Sequence, residues 1–181
     1  EDGQLYFTSS DEAGEMGDGS APPTFGSHIW RYNIESEQWQ HILAVPEALI
    51  AAAGNGRYVY FLGYWRHVLY QLDTRSGETR RVEVGSYRGH ACRNIMCDRG
   101  GHVYVPRVSS KSAVLVEFDT TLKTVGETPL QNYSISGTSS SHGIVAWRPL
   151  ANGQLSFLTD QGFLYLIIPS AKRASRVLPV G

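Results

Sequence analysis

Apolar and aromatic runs alternate with polar turn clusters along the chain, and the same order of runs occurs four times. Segments centred on LYF (5–7), VYF (59–61), VYV (103–105) and LSF (155–157) come first in each repeat. They are followed by HIWRYN (28–33), HVLYQLD (67–73), AVLVEFD (113–119) and GFLYLII (162–168). A more polar segment closes each repeat: EQWQHIL (37–43), ETRRVEV (78–84), KTVGETPL (123–130) and ASRVLPV (174–180). Aromatic and β-branched residues bounded by Gly, Asn, Asp and Ser predict strands, and Asn55-Gly56, Arg75-Ser76-Gly77 and Asn152-Gly153 predict tight reversals between them. Three repeats carry a further strand before the first turn: PEALIAAAG (46–54), HACRNIMCD (90–98) and HGIVAWRPL (142–150). These runs are continuously apolar, as expected of strands packed on both faces. Each complete repeat therefore predicts a four-stranded antiparallel meander.

The first repeat differs from the others. It begins at its second strand, and it carries an insertion, residues 9–27, rich in Gly, Pro, Ser and acid. With no apolar period, the insertion predicts a surface loop. Its acids Asp11, Glu12, Glu15 and Asp18 could offer oxygen ligands to calcium, but their spacing fits a solvated segment better. Glu1 in place of Met predicts a processed, trimmed or fragmentary N-terminus.

Composition narrows the class. Lys and Arg total 16 against 17 Asp and Glu, and phosphate binding draws on a clustered basic excess, so a nucleic-acid partner is not expected. Nineteen Gly, ten Tyr, six Phe and four Trp suit an all-β chain of short strands and turns. No apolar run approaches the roughly twenty residues of a membrane span, and no signal peptide is visible, so no membrane partner is expected. Cys92 and Cys97 fall on one predicted strand, five apart, which would point them to opposite faces and leave both as free, buried thiols.

A repeat of roughly 40 to 50 residues points to propellers or arrays. The segment Asp98-x-x-Gly101-x-Val103-Tyr104-Val105 resembles the Asp-x-x-Gly-x-hydrophobic-aromatic-hydrophobic turn of lactonase-like, NHL-like and streptogramin-lyase-like β-propellers. Asn152-Gly153-x-Leu155-x-Phe157 matches it in part. RYNIESEQWQ (31–40) is similar to the strand-turn-Trp segment of kelch repeats, without their Gly-Gly doublet. The resemblance implies a single, partial β-propeller domain over 1–181, with four blades at about 1–45, 46–86, 87–136 and 137–181, the first lacking its innermost strand. A ring must close, because an open stack exposes apolar blade faces at roughly 25 cal/mol per Å². Four such blades could close alone, but blades more often come in sixes to eights, so the chain is expected to be a piece of a larger propeller or to complete its ring with a second polypeptide or a second copy, as a homodimer. These motifs are architectural, so they carry no catalytic residue with them.

Antiparallel geometry brings the links between repeats and the loops between second and third strands out on one side. That side collects the insertion, residues 63–66, the polar loop 107–112, residues 160–161 and the links 86–90 and 136–142. His90 and His142 both begin innermost strands at the expected channel mouth, where imidazoles could ligate a divalent metal or act as a base. Pinning the links between blades is their structural alternative. Arg93, Arg107 and Arg66 could clamp a carboxylate or sugar acid through bidentate hydrogen bonds; the alternative is an interblade salt bridge for Arg93 and solvated loop positions for Arg66 and Arg107. Tyr64, Trp65 and Tyr87 could stack on a flat ligand, or pack on the next blade.

Three function classes follow: a module binding a small molecule, glycan or protein; a lyase- or lactonase-type enzyme using His90 and His142; and an incomplete piece with no activity of its own. The first accounts best for the near-neutral charge and the one varied face. The chain shows no Gly-x-Ser-x-Gly elbow, phosphate-cradling Gly-Lys-Ser/Thr or His-Glu-x-x-His.

Overall fold

The computed structural model describes residues 3–13, 24–64, 66–85, 92–130, 133, 143–168 and 176–179. The described elements are all strands: β1 (Gln4–Ala13), β2 (Thr24–Asn33), β3 (Gln38–Val45), β4 (Leu49–Gly54), β5 (Tyr58–Gly63), β6 (Val68–Asp73), β7 (Thr79–Glu83), β8 (Met96–Cys97), β9 (Val103–Val108), β10 (Ala113–Phe118), β11 (Thr124–Leu130), β12 (Ile144–Pro149), β13 (Leu155–Thr159), β14 (Phe163–Ile167) and β15 (Arg176–Pro179). They form one three-stranded sheet, β1-β2-β3, and three four-stranded sheets, β4-β5-β6-β7, β8-β9-β10-β11 and β12-β13-β14-β15. Each is an antiparallel meander. The three-stranded sheet is the predicted first repeat without its innermost strand.

The chain divides into two compact units, 1–49 and 50–181. In the first, Ile29 and Val45 are buried on one face of the sheet, and the buried Ser27 hydroxyl accepts the Leu49 backbone N–H at 2.9 Å. The opposite face carries aromatic side chains in a row: Tyr32 lies 4.8 Å and Phe7 5.4 Å, centroid to centroid, from Trp39.

In the second unit, the period-two alternation of each strand feeds two cores. Val103 and Val105 of β9 join Tyr60, Leu62 and Leu69 of the preceding sheet. Tyr104 and Val108, on the other face of β9, join Leu155, Phe157 and Tyr165 of the following one. A one-residue slip would exchange these two sets, so the burial pattern fixes the register. Several buried polar groups are paired in the same layers. Gln71 donates its amide to Tyr60 Oη (3.0 Å) and to the Thr120 carbonyl (2.9 Å), while Tyr60 donates to the Gly101 carbonyl (2.6 Å). Glu117, buried on β10, accepts a hydrogen bond from His102 at 2.7 Å.

Three expectations change. The insertion is not wholly a loop: β1 and β2 remain paired from Ser9↔His28 out to Ala13↔Thr24, so it lengthens the hairpin at least to those residues. Among the described residues of the strand expected over 90–98, only Met96–Cys97 enter the ladder with β9. Cys92 therefore escapes the alternation rule, and both thiols lie in the same core, buried and free. Finally, the polar loop expected at 107–112 is a tight turn over 109–112. Arg107 is a strand residue opposite Val114, since Val108 beside it is drawn into the core.

Candidate functional site

The link that follows β7 and the turn between β9 and β10 emerge on one side of the second unit. Between them lies a recess of about 430 Å³, lined by Gly85, Arg107, Val108, Ser109, Ser110, Ser112 and Val114. The sequence explains this composition. Alternation along β9 turns Val108 inward and leaves Arg107 half-exposed, and the serines form the hairpin tip. The tip is rigidly built: Ser109 Oγ accepts the Ser112 N–H (3.0 Å) and the Lys111 N–H (3.3 Å) and donates to the Ser112 carbonyl (2.9 Å). That hydroxyl caps its own turn and is not poised as a nucleophile. The Arg107 guanidinium pairs with Glu127 of β11 at 2.8 Å, both side chains 42% exposed. A cation held by one exposed carboxylate can exchange it for another at small cost, because exposed ion pairs contribute only about 0–1 kcal/mol.

A residue outside the predicted set holds the walls of this recess. His67 is fully buried between β5 and β6, with backbone φ at 52°. Its Nδ1 is 3.0 Å from the carbonyl of Pro106, next to Arg107, and its own carbonyl accepts the N–H of Val84, next to Gly85. The one sequence signal was position: His67 opens the third segment of its repeat, as His28 does in the first. His28 itself bonds His41 on the aromatic face, ring nitrogen to ring nitrogen at 2.9 Å.

The other candidates are dispersed. Arg66 is exposed, with Glu83 at 3.7 Å. Arg93 is exposed, and among the described residues no carboxylate pairs with it. Tyr64 is half-buried. Trp65, Tyr87, His90 and His142 lie outside the described residues. Among the described residues no group of three or more His, Cys, Asp and Glu is placed to hold a metal ion. The thiols are poor nucleophiles: burial pushes Cys92 up to about 11 and Cys97 up to about 12, with the Asp98 charge adding to the latter. A second recess, of about 190 Å³, lies at the opposite end of the sheets between the turns at 98–100 and 149–154.

The fold recurs in solved structures. The C-terminal WD40 domain of Sif2 superposes with a TM-score of 0.64 at 11% identity, over 94% of this chain and 46% of that one. The chain is built of β-propeller blades. The Dos1 propeller gives a TM-score of 0.56 at 11% identity, over 90% of this chain and 44% of that one. HIRA(644-1017) gives 0.53 at 13%, over 95% and 55%. The blades thus span about half the length of each solved structure they match. No protein-family model and no curated protein sequence matches the chain.

Proposed function

We propose that these blades form a binding module whose recess beside the β9–β10 turn takes a carboxylate-bearing ligand, in the first instance an acidic segment of a protein partner. The recess itself carries this reading: a half-exposed guanidinium, serine hydroxyls and the apolar residues Val108 and Val114 line it together. A planar five-donor cation suits a carboxylate, and adjoining apolar surface accepts the carbon chain that bears it. Glu127 acts as an internal competitor for the same guanidinium.

Calorimetric titration with a tetraglutamate peptide tests this. Arg107→Gln is expected to weaken binding about two- to fivefold, the value of an exposed ion pair of about 0.5–1 kcal/mol. Glu127→Gln is expected to tighten it several-fold. Equal affinity in all three proteins would overturn the assignment, and galacturonate binding in place of the peptide would redirect it to sugar acids. The enzyme reading rests on His90 and His142 alone. Metal retained by the purified protein and lost in a His90→Ala/His142→Ala double variant would favour it.

A further inference from the structure

Two imidazoles meet across the strands of the first sheet. His28 Nδ1 and His41 Nε2 lie 2.9 Å apart, with the ring centroids 5.0 Å apart. Regular alternation would have separated them. Ile29 pairs with Leu43, so an unbroken ladder would set His41 opposite Arg31, on the face away from His28. Instead the register shifts between Ile29 and Trp30: Ile42 is the extra residue, and Trp30 pairs with His41. The bulge re-aims the His41 side chain to the face of Trp30 and His28, where it becomes the diagonal neighbour of His28.

Trp30 packs against both rings, its centroid 4.8 Å from that of His41 and 6.1 Å from that of His28. Its indole N–H donates to Ser9 Oγ of β1 at 3.1 Å, so all three strands of the sheet contribute to the arrangement. Divalent transition ions bind imidazole nitrogen at about 2.0–2.1 Å; two such bonds at a right angle set the nitrogens about 2.9 Å apart, and at a tetrahedral angle about 3.3 Å. The separation of 2.9 Å therefore matches two adjacent corners of a square-planar or tetragonal ion.

The geometry points to a two-ligand site for a divalent ion of tetragonal preference, copper(II) or nickel(II), with His28 Nδ1 and His41 Nε2 at adjacent corners and water at the others. The hydrogen shared by the two nitrogens moves to the far nitrogen of its ring, so both imidazoles ligate in the neutral form. Among the described residues no third His, Cys, Asp or Glu joins them in a metal-holding group. The bound ion ties β2 to β3. His41 is exposed on β3, the edge strand of its sheet, so the ion is reached from that edge; both protein ligands come from this sheet whatever lies against its aromatic face. The site is independent of the Arg107 recess and of His90 and His142.

Titration of the untagged, chelator-treated 181-residue chain with copper(II) tests it, followed by calorimetry and electron paramagnetic resonance. The expected result is saturable binding of a single ion per chain, with a tetragonal spectrum split by two imidazole nitrogens. His28→Ala and His41→Ala should each weaken binding by at least about tenfold, the smallest loss typical even of a group that only supports a metal ligand, and leave the splitting of one nitrogen. The His90→Ala/His142→Ala variant should bind as the wild type does. Circular dichroism controls for folding, and the exposed His41→Ala carries the test if His28→Ala does not fold. Copper binding unchanged in His41→Ala, binding lost in His90→Ala/His142→Ala instead, or no saturable binding with nitrogen splitting would overturn the inference.

Discussion

Asn33, Asp73 and Asp119 end the third strand of the first three blades and do the same work in each. Asn33 Oδ1 accepts the N–H groups of Glu35 and Ser36, Asp73 Oδ1 those of Arg75 and Ser76, and Asp119 Oδ1 those of Thr121 and Lys123. The acceptor two residues before the donor starts the reversal into the fourth strand. Burial opposes ionisation of Asp73 and Asp119, yet these N–H groups, with Arg57 beside Asp73 and the Thr121 hydroxyl beside Asp119, hold both carboxyls below their usual range. Both folded values are depressed, so their stabilising contribution is complete above the ordinary carboxylate range and is lost as pH falls through the folded values. Melting temperature should therefore drop in acid. Asp73→Asn, which keeps the acceptor without the charge, should flatten that drop, and Asp73→Ala should cost about 1 kcal/mol at neutral pH. An Asp73→Asn melt with unchanged pH dependence would contradict the account. The turn acids were visible in the sequence as strand ends; His67 was not, because a histidine opening an apolar run reads as one more strand residue.

Turns between elements explain why one copy of the repeat motif is kept most fully. Asp98 Oδ1 accepts the His102 N–H (2.9 Å) and Oδ2 accepts the Tyr104 hydroxyl (3.0 Å), so the first residue of the motif ties together the turn and the strand after it. Gly101 sits at φ 91°, and a Cβ there would meet Thr120 and Tyr58 at 3.0 Å and Asn55 at 3.1 Å. Its carbonyl is the acceptor for Tyr60 of the neighbouring sheet. Gly101→Ala should thus be destabilising by about 1–3 kcal/mol, from left-handed backbone and from crowding together, read as a lower denaturation midpoint with an unchanged slope. A neutral result would mean that the turn has room to shift. At this scale the sequence located the fifteen strands of the described residues by run and turn chemistry, but not their ends. The hairpin extension of β1 and β2 has the composition of a loop, and the two-residue β8 has the composition of a full strand; in each case pairing with a neighbour, which composition does not report, decided the length.

At the scale of the molecule, the fold was legible because the same order of apolar runs and polar turns occurs four times along the chain. The candidate site was legible only in part. Loop 107–112 stood out as polar and varied, and Arg107 does line the recess, but so does Gly85, which follows the preceding sheet, and the buried His67 bonds the backbone next to both. Such groupings depend on which sheets are adjacent and on how strands end, neither of which a single motif encodes. The most direct test of the binding account is amide chemical-shift mapping of the isotopically labelled chain titrated with tetraglutamate. The account predicts saturable shifts concentrated at Gly85 and at residues 107–114, saturating at higher peptide concentration in Arg107→Gln. Shifts confined to the opposite recess at 98–100 and 149–154, or no saturable shifts, would contradict it.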